Sequence, residues 1–193
     1  MGEKSVKSVK SVKKDNLQQG WYRIYDEEPL YTREQVEKAL RDFLIYAGYE
    51  ITPAEPIGFM KPDLVASRKD GKKRHELIFV VREGINQALE GLRELAAAKC
   101  FRKDTLDYVL ALPPVSEHYL IEFLIEKEDW FFPIKDHLLQ LWLVNPERET
   151  VDCLLGWPRD DDFKHYFSNP NLAGFATYIS NKATDKIMEE EFD

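Results

Sequence analysis

Residues 59–83, FMKPDLVASRKDGKKRHELIFVVRE, contain two short apolar runs separated by a charged turn. The runs PDLVAS and HELIFVV have the length and the β-branched content of strands. Between them lies Gly71, a residue that tolerates the positive φ of a tight turn. The stretch therefore predicts a β-hairpin that brings Asp63, at the start of one strand, close to Arg82, at the end of the next.

Strand alternation predicts which side chains of this hairpin share a face. Asp63 has the parity of Val65 and Ser67, and Arg82 has the parity of Val80. A carboxylate beside a fixed cation at the ends of two strands is typical of a Mg²⁺ site for phosphodiester cleavage. The reason is that a hard cation prefers oxygen ligands, while the fixed cation stabilises the charge that develops on phosphate.

From Tyr31 to Pro114 the order of predicted elements is similar to that of the PD-(D/E)XK nuclease superfamily, most of all to the N-terminal nuclease domains of type I restriction motor subunits. The core of that family runs helix, three strands, helix, strand. The corresponding segments here are TREQVEKALRDFLIYAG, YEITPAEPI, PDLVA, ELIFVV, INQALEGLRELAAAK and DYVLALP. The resemblance implies an α/β protein with a restriction-endonuclease-like central mixed sheet flanked by helices.

The resemblance also implies a degenerate active site. Asp63, directly after Pro62, matches the metal-binding aspartate of the family, and the acid and the lysine of the motif fall on Val80 and Arg82. Val80 cannot bind a metal ion. Arg82 keeps its charge and can grip phosphate through two hydrogen bonds, but it cannot shuttle a proton. We therefore expect phosphate binding with weak or absent metal-dependent hydrolysis.

Other acids are candidate ligands for the implied Mg²⁺ ion. The first helix begins at Thr32 with a capping pattern, and Glu37 lies at the edge of its apolar stripe, where the family often places a glutamate ligand. Some members move an acid onto the second helix, where Glu90 stands one turn from Gln87. The predicted metal ligands are Asp63, Glu37 and Glu90, with Asp63, Arg82 and Glu37 as the catalytic set. Solvated helix surface is the alternative for the two glutamates.

The net charge of the chain is −8, which weighs against indiscriminate binding to duplex nucleic acid. The segment EKSVKSVKSVKK has five lysines against one glutamate, so its local charge of +4 leaves −12 for the rest. We predict a flexible basic tail over residues 1–20, a single nuclease-like domain over 21–180 and an acidic tail over 181–193. The basic tail either anchors the protein to nucleic acid or an acidic partner, or merely keeps it soluble.

A second group of basic residues lies in and beside the predicted hairpin. Concentrated lysine and arginine predict a surface that a phosphate backbone approaches, although hairpin tips are also charged for solubility. The candidates for nucleic-acid binding are Lys61, Arg68, Lys69, Lys72 and Lys73, with Arg74 beside them.

The rest of the chain predicts further elements of the same domain. SEHYLIEFLIEKEDW has helical periodicity, LLQLWLVNPERETVDCLLG predicts an additional hairpin, and the acids at 160–162 are typical of a helix N-terminus. No run approaches the roughly 18 apolar residues of a membrane span, and the two cysteines lack metal-site spacing. We expect a cytoplasmic protein without a membrane partner.

Three hypotheses for function remain open at this point. The first is a nuclease-like protein that binds nucleic-acid phosphate. The second is a catalytically inactive member of the same fold, used as a binding or assembly module beside another protein subunit. The third is a protein-interaction domain with no nucleic-acid role, which the acidic body of the chain suits.

Overall fold

The computed structural model of the chain describes residues 31–102, 106–115, 139–156 and 158–167. These residues form two α-helices, six strands and two short 3₁₀ helices. In chain order the elements are α1 (Arg33–Tyr46), β1 (Glu50–Thr52), β2 (Leu64–Asp70), β3 (Lys73–Val81), a 3₁₀ turn (Ile85–Gln87), α2 (Ala88–Phe101), β4 (Asp107–Leu112), β5 (Leu139–Asn145), β6 (Thr150–Leu155) and a second 3₁₀ helix (Asp162–Tyr166).

The strands form one sheet in the order β1-β2-β3-β4-β5-β6. The pairs β1–β2, β2–β3 and β5–β6 are antiparallel, whereas β3–β4 and β4–β5 are parallel. Helix α2 lies in the connection between the parallel strands β3 and β4, as such connections require. The predicted α/β class, with a mixed sheet flanked by helices, is therefore confirmed.

Helix α1 begins where the sequence predicts. The Thr32 hydroxyl accepts a hydrogen bond from the Gln35 N–H, and the Gln35 side chain accepts one from the Thr32 N–H at 2.9 Å. This reciprocal pair is a capping box. The helix ends before Gly48, whose φ of +82° is the left-handed conformation that glycine adopts readily. Its buried stripe consists of Val36, Leu40, Phe43 and Leu44.

Strand alternation divides the core into two layers. Ile78 and Val80 of β3 belong to the layer under α2, while Phe79 and Val81 belong to the layer under α1. All four side chains are almost completely buried. Because helices cover both faces of the sheet, its open positions are the strand ends, where α/β proteins commonly place their binding sites.

The predicted second hairpin is present as β5 and β6. In its turn the Asn145 side-chain oxygen accepts hydrogen bonds from the N–H groups of Glu147, at 3.0 Å, and Arg148, at 3.1 Å. This local bonding explains why asparagine favours the turn. Three predicted segments lie outside the described residues: the helix at 116–130, the basic tail at 1–20 and the acidic tail at 181–193.

A buried ion pair attaches residues 158–167 to the sheet. The Asp160 carboxylate, 2% exposed as a residue, accepts a hydrogen bond from the Tyr49 hydroxyl at 2.7 Å and pairs with Arg68. It also accepts a hydrogen bond from the Phe163 N–H at 3.4 Å, although the N-cap position of the short helix is Asp161, whose side chain makes no capping hydrogen bond. Burial raises the pKa of Asp160, but the hydrogen bonds from Tyr49 and Arg68 outweigh this effect and hold it below its ordinary value.

We expect Asp160→Asn to lower the free energy of unfolding near neutral pH by about 3 kcal/mol, because it removes the buried partner of the Arg68 charge and leaves only the exposed Asp162 carboxylate, 4.0 Å away. The folded-state pKa of Asp160 lies below the unfolded value of about 3.9, so its stabilisation is complete above that pH and is lost as the pH falls through the folded pKa. Urea denaturation across pH should show the difference from wild type shrinking below about pH 4.

The matched control is Asp161→Asn, which removes an exposed carboxylate paired only with Lys164 among the described residues. Its effect should be much smaller than that of Asp160→Asn, because solvent screens an exposed ion pair. If the two substitutions had equal effects, or if the Asp160→Asn difference did not change with pH, the structural role assigned to Asp160 would be wrong.

Candidate active site

A cleft of about 680 Å³ lies at the end of the β2–β3 hairpin that is opposite its turn. The beginning of α1 and one face of α2 form its walls. Its lining is a mixture of apolar, acidic and basic side chains: Arg33, Ile57, Phe59, Met60, Lys61, Asp63, Arg82, Glu83, Gln87, Glu90, Glu94, Ala97 and Phe101.

Asp63 is held at the wall of this cleft by three donors. One carboxylate oxygen, Oδ2, accepts hydrogen bonds from the Val81 N–H at 2.7 Å and from Arg82 Nη1 at 3.2 Å. The other, Oδ1, pairs with the guanidinium of Arg33. The Asp63 side chain is only 11% exposed. Both oxygens of the expected metal ligand are therefore engaged by donors from the same chain.

Arg82 connects the strand ends to α2. Its Nη1 donates to Asp63 and, at 2.8 Å, to the Val81 carbonyl, and its Nη2 lies 2.7 Å from each carboxylate oxygen of Glu94. The side chain is 13% exposed. Strand alternation predicted that Asp63 and Arg82 meet, and the 3.2 Å contact confirms it. Their roles in chemistry remain predictions.

Apolar packing surrounds the residue that faces Asp63. The β2–β3 register pairs Leu64 with Phe79, so Val80 lies opposite Asp63. Val80 is fully buried beneath α2. A Cβ atom on Gly91 would come within 3.2 Å of Val80 Cγ1, so the helix approaches the strand closely at this point because glycine has no side chain.

Of the two candidate glutamate ligands, Glu90 lines the cleft and Glu37 does not. Glu37 does not line the cleft, and its carboxylate accepts a hydrogen bond from Arg41 at 2.7 Å on the surface of α1. The neighbour of the cleft on that helix is Arg33, one turn earlier. Glu90 and Gln87 do line the cleft, and the Gln87 side chain accepts the Glu83 N–H at 3.3 Å.

The predicted phosphate-binding residues are not gathered at the site. Lys61 lines the cleft, but Arg68 is committed to Asp160 on the other side of the hairpin. The three remaining lysines lie at or near the hairpin turn. The turn is six β2 residues from the cleft end, a distance of roughly 20 Å. These distal lysines are Lys69, Lys72 and Lys73.

Two residues of the site escaped the sequence analysis. Glu94 lies four residues after Glu90 and so on the same face of α2, a relation that could have predicted a partner for Arg82. Arg33 occupies the first turn of α1, where a cation is unfavourable beside the positive end of the helix dipole. Its placement there indicates a carboxylate partner, which the structure supplies as Asp63.

The side chains of this cleft do not fit a Mg²⁺ ion. Within the described residues, no group of three or more His, Cys, Asp or Glu side chains is arranged to hold a metal. An ion on Asp63 would also lie close to the guanidinium groups of Arg33 and Arg82. Two unit charges of the same sign repel by about 4 kcal/mol at 4 Å near a protein surface, and a divalent ion by about twice that.

Comparisons with known protein families and with curated proteins find no match for this sequence. Among the helices of the described residues, none combines the length and the apolar composition needed to cross a bilayer. The chemistry of the cleft has to be inferred from its own side chains.

We expect Glu94→Gln to lower the free energy of unfolding by about 1 to 2 kcal/mol, because it removes the charged partner of a largely buried guanidinium. Glu90→Gln is the matched control. It lies one turn away on the same helix face and has no hydrogen bond or ion pair to another described residue, so its effect should stay within about 0.5 kcal/mol. Urea denaturation of both variants tests this, and equal effects would contradict the network.

Proposed function

We propose that this protein is a catalytically inactive binding module built on a restriction-endonuclease-like scaffold. The observation that carries the proposal is the neutralisation of Asp63. Its two carboxylate oxygens are engaged by Arg33, Arg82 and the Val81 N–H. An acid in this state stabilises the walls of a cleft instead of holding a metal ion.

The order of elements supports the scaffold part of the proposal. Helix α1, the antiparallel strands β1 to β3, helix α2 and the parallel strand β4 follow one another as in the nuclease core. Asp63 and Val80 occupy the facing positions at the end of the β2–β3 pair. The acid on β2 is retained, and the acid on β3 is replaced by a side chain that packs under α2.

Both parts of the hydrolytic chemistry are compromised. Metal-assisted cleavage needs free carboxylate oxygens to hold the ion that activates water, and it needs a cation that faces the phosphate. Asp63 has no free carboxylate oxygen. Arg82 does not face a phosphate, because both carboxylate oxygens of Glu94 accept hydrogen bonds from its Nη2. The resulting network joins α1, the strand ends and α2, so the cleft is held in a fixed shape.

Nucleic-acid phosphate is the second candidate ligand. Lys61 lines the cleft and makes no hydrogen bond or ion pair with another described residue, and the Arg33 side chain is 45% exposed. These two cations favour an anion. The charges of the whole lining oppose it, because four carboxylates accompany three cations. The acidic net charge of the chain opposes it as well.

With Mg²⁺ or Mn²⁺ in excess, the full-length protein should produce no more cleavage of labelled single-stranded DNA, duplex DNA or RNA than its Asp63→Ala variant. The physical reason is the absence of free carboxylate oxygens at Asp63. Asp70→Ala, at the hairpin turn, is the control for loss of an unrelated acid. Metal-dependent cleavage that disappears in Asp63→Ala and persists in Asp70→Ala would overturn the proposal.

A restored site should require removal of Arg33. The variant Val80→Glu/Arg82→Lys/Arg33→Ala rebuilds the acid and the lysine and frees Asp63 Oδ1, so it should bind Mn²⁺ measurably by calorimetry. Val80→Glu/Arg82→Lys, which retains Arg33, should bind at least about tenfold more weakly, since like charges at this distance repel by more than 1.4 kcal/mol.

Val80 is buried, so folding of these variants is checked by circular dichroism, and Val80→Asp serves as the shorter alternative. Binding by the triple variant must disappear when Asp63→Ala is added. A folded triple variant that binds no Mn²⁺ would show that Asp63 and position 80 do not form the family site.

A further inference from the structure

A tight turn presents an exposed aromatic ring beside the cleft. The Ile57 N–H donates to the Met60 carbonyl at 2.7 Å, and the Met60 N–H donates to the Ile57 carbonyl at 3.1 Å, which closes a turn over Gly58 and Phe59. Gly58 has a φ of +61°, as the first central residue of a type II′ turn requires. Phe59 at the tip is completely exposed.

A second ring, on α2, is packed against the same turn. A Cβ atom on Gly58 would lie 2.5 Å from the ring of Phe101, so this ring lies directly on bare backbone. Phe59 and Phe101 form an edge-to-face pair with centroids 5.8 Å apart. Phe101 is still 59% exposed. The pair therefore presents an exposed apolar surface at the mouth of the cleft, above the buried side chains of Ile57 and Met60.

The face of α2 that lines the cleft changes character along its length. Glu90, Glu94, Ala97 and Phe101 follow at intervals of four, three and four residues, which places them on one side of the helix. The N-terminal end of this face is acidic and the C-terminal end is apolar. Glu94 is neutralised by Arg82, whereas Glu90 is exposed and has no ionic partner among the described residues.

We infer that the cleft binds a segment of a partner protein that combines an aromatic or large aliphatic side chain with a nearby lysine or arginine. The inference rests on the proposed function and names the ligand class of the same site. The apolar side chain packs against Phe59 and Phe101, and the basic group lies near Glu90 and Glu83. An aromatic side chain loses little conformational entropy when a partner covers it, because it has only two rotatable side-chain angles.

Charge complementarity selects a basic protein segment over a nucleic acid. Two of the three cations in the lining are paired with carboxylates, Arg33 with Asp63 and Arg82 with Glu94. The remaining charges are Lys61 against two glutamates, so the lining has a net charge of −1. A nucleobase could also stack on the rings, but the phosphates of its nucleic-acid backbone would be repelled by the two acids.

The test uses the full-length protein and a display library of short random peptides. Selection should enrich peptides that contain an aromatic or large aliphatic residue together with lysine or arginine. Phe59→Ser should weaken binding of the enriched peptides by about tenfold or more, as removal of a central aromatic anchor does at interfaces. Phe101→Ser should have the same effect. If Phe101→Ser does not fold, Phe59→Ser alone decides the outcome, because the Phe59 ring contributes no core packing and its removal should leave the fold intact.

Matched controls separate the cleft from other exposed groups. Tyr46→Ser removes a ring that is 80% exposed on α1 and lines no part of this cleft, so it should leave peptide affinity unchanged. Glu90→Lys should weaken binding several-fold in a salt-dependent manner. Glu50→Lys, an exposed acid on β1, should not.

Two results would overturn the inference. The first is that no enriched peptide loses affinity in Phe59→Ser. The second is that oligothymidylate binds the wild-type protein and loses affinity in Phe59→Ser while the peptides do not, which assigns the aromatic pair to nucleic acid. Neither result depends on the cleavage assay, so failure of this inference and failure of the proposed inactivity are distinguishable.

Discussion

The guanidinium of Arg82 lies where β2, β3 and α2 meet, and the shape of the cleft depends on its ion pairs. It is 13% exposed, so an unpaired charge here would cost several kcal/mol. Asp63 and Glu94, which both contact this guanidinium, compensate its charge. Gly91 makes this close packing possible, because a Cβ atom at that position would lie 2.7 Å from Leu110 Cδ1 and 3.2 Å from Val80 Cγ1. Packing and electrostatics thus determine the position of the helix together.

The valine at position 80 and the arginine at position 33 are physically consistent with each other. Two carboxylates at the strand ends need a divalent cation to offset their repulsion, whereas one carboxylate is balanced by fixed monovalent groups. A guanidinium on the same chain is always present near Asp63, while Mg²⁺ has to bind from solution and lose water molecules. Because the facing residue Val80 is apolar and buried, Asp63 is the one carboxylate at this pair of strand ends, and the intramolecular cations suffice to balance it.

The sequence was informative where the governing interactions are local. The capping box at Thr32, the glycine turn at Gly71 and the alternation that brings Asp63 to Arg82 follow from backbone geometry over a few residues. Partners that are distant in sequence were not predictable in this way. Arg33 is 30 residues from Asp63, and nothing in local spacing selects it over other basic residues. The order of elements indicates the class of fold, while the exact partners depend on how α1 and α2 pack.

Charge counted along the sequence overestimated the basic surface near the hairpin. Arg68 belongs to the predicted basic group, yet it forms a buried salt bridge with Asp160, near the C-terminal end of the described residues. Arg82 likewise forms salt bridges with Asp63 and Glu94. Arg82 at the cleft and Arg68 near the turn thus each anchor the hairpin by pairing with carboxylates. The exposed positive charge of the predicted basic group is left on the turn lysines and on Lys61. The cleft instead presents an exposed aromatic pair beside Glu83 and Glu90, two acids without an ionic partner among the described residues, which favours protein recognition over phosphate recognition.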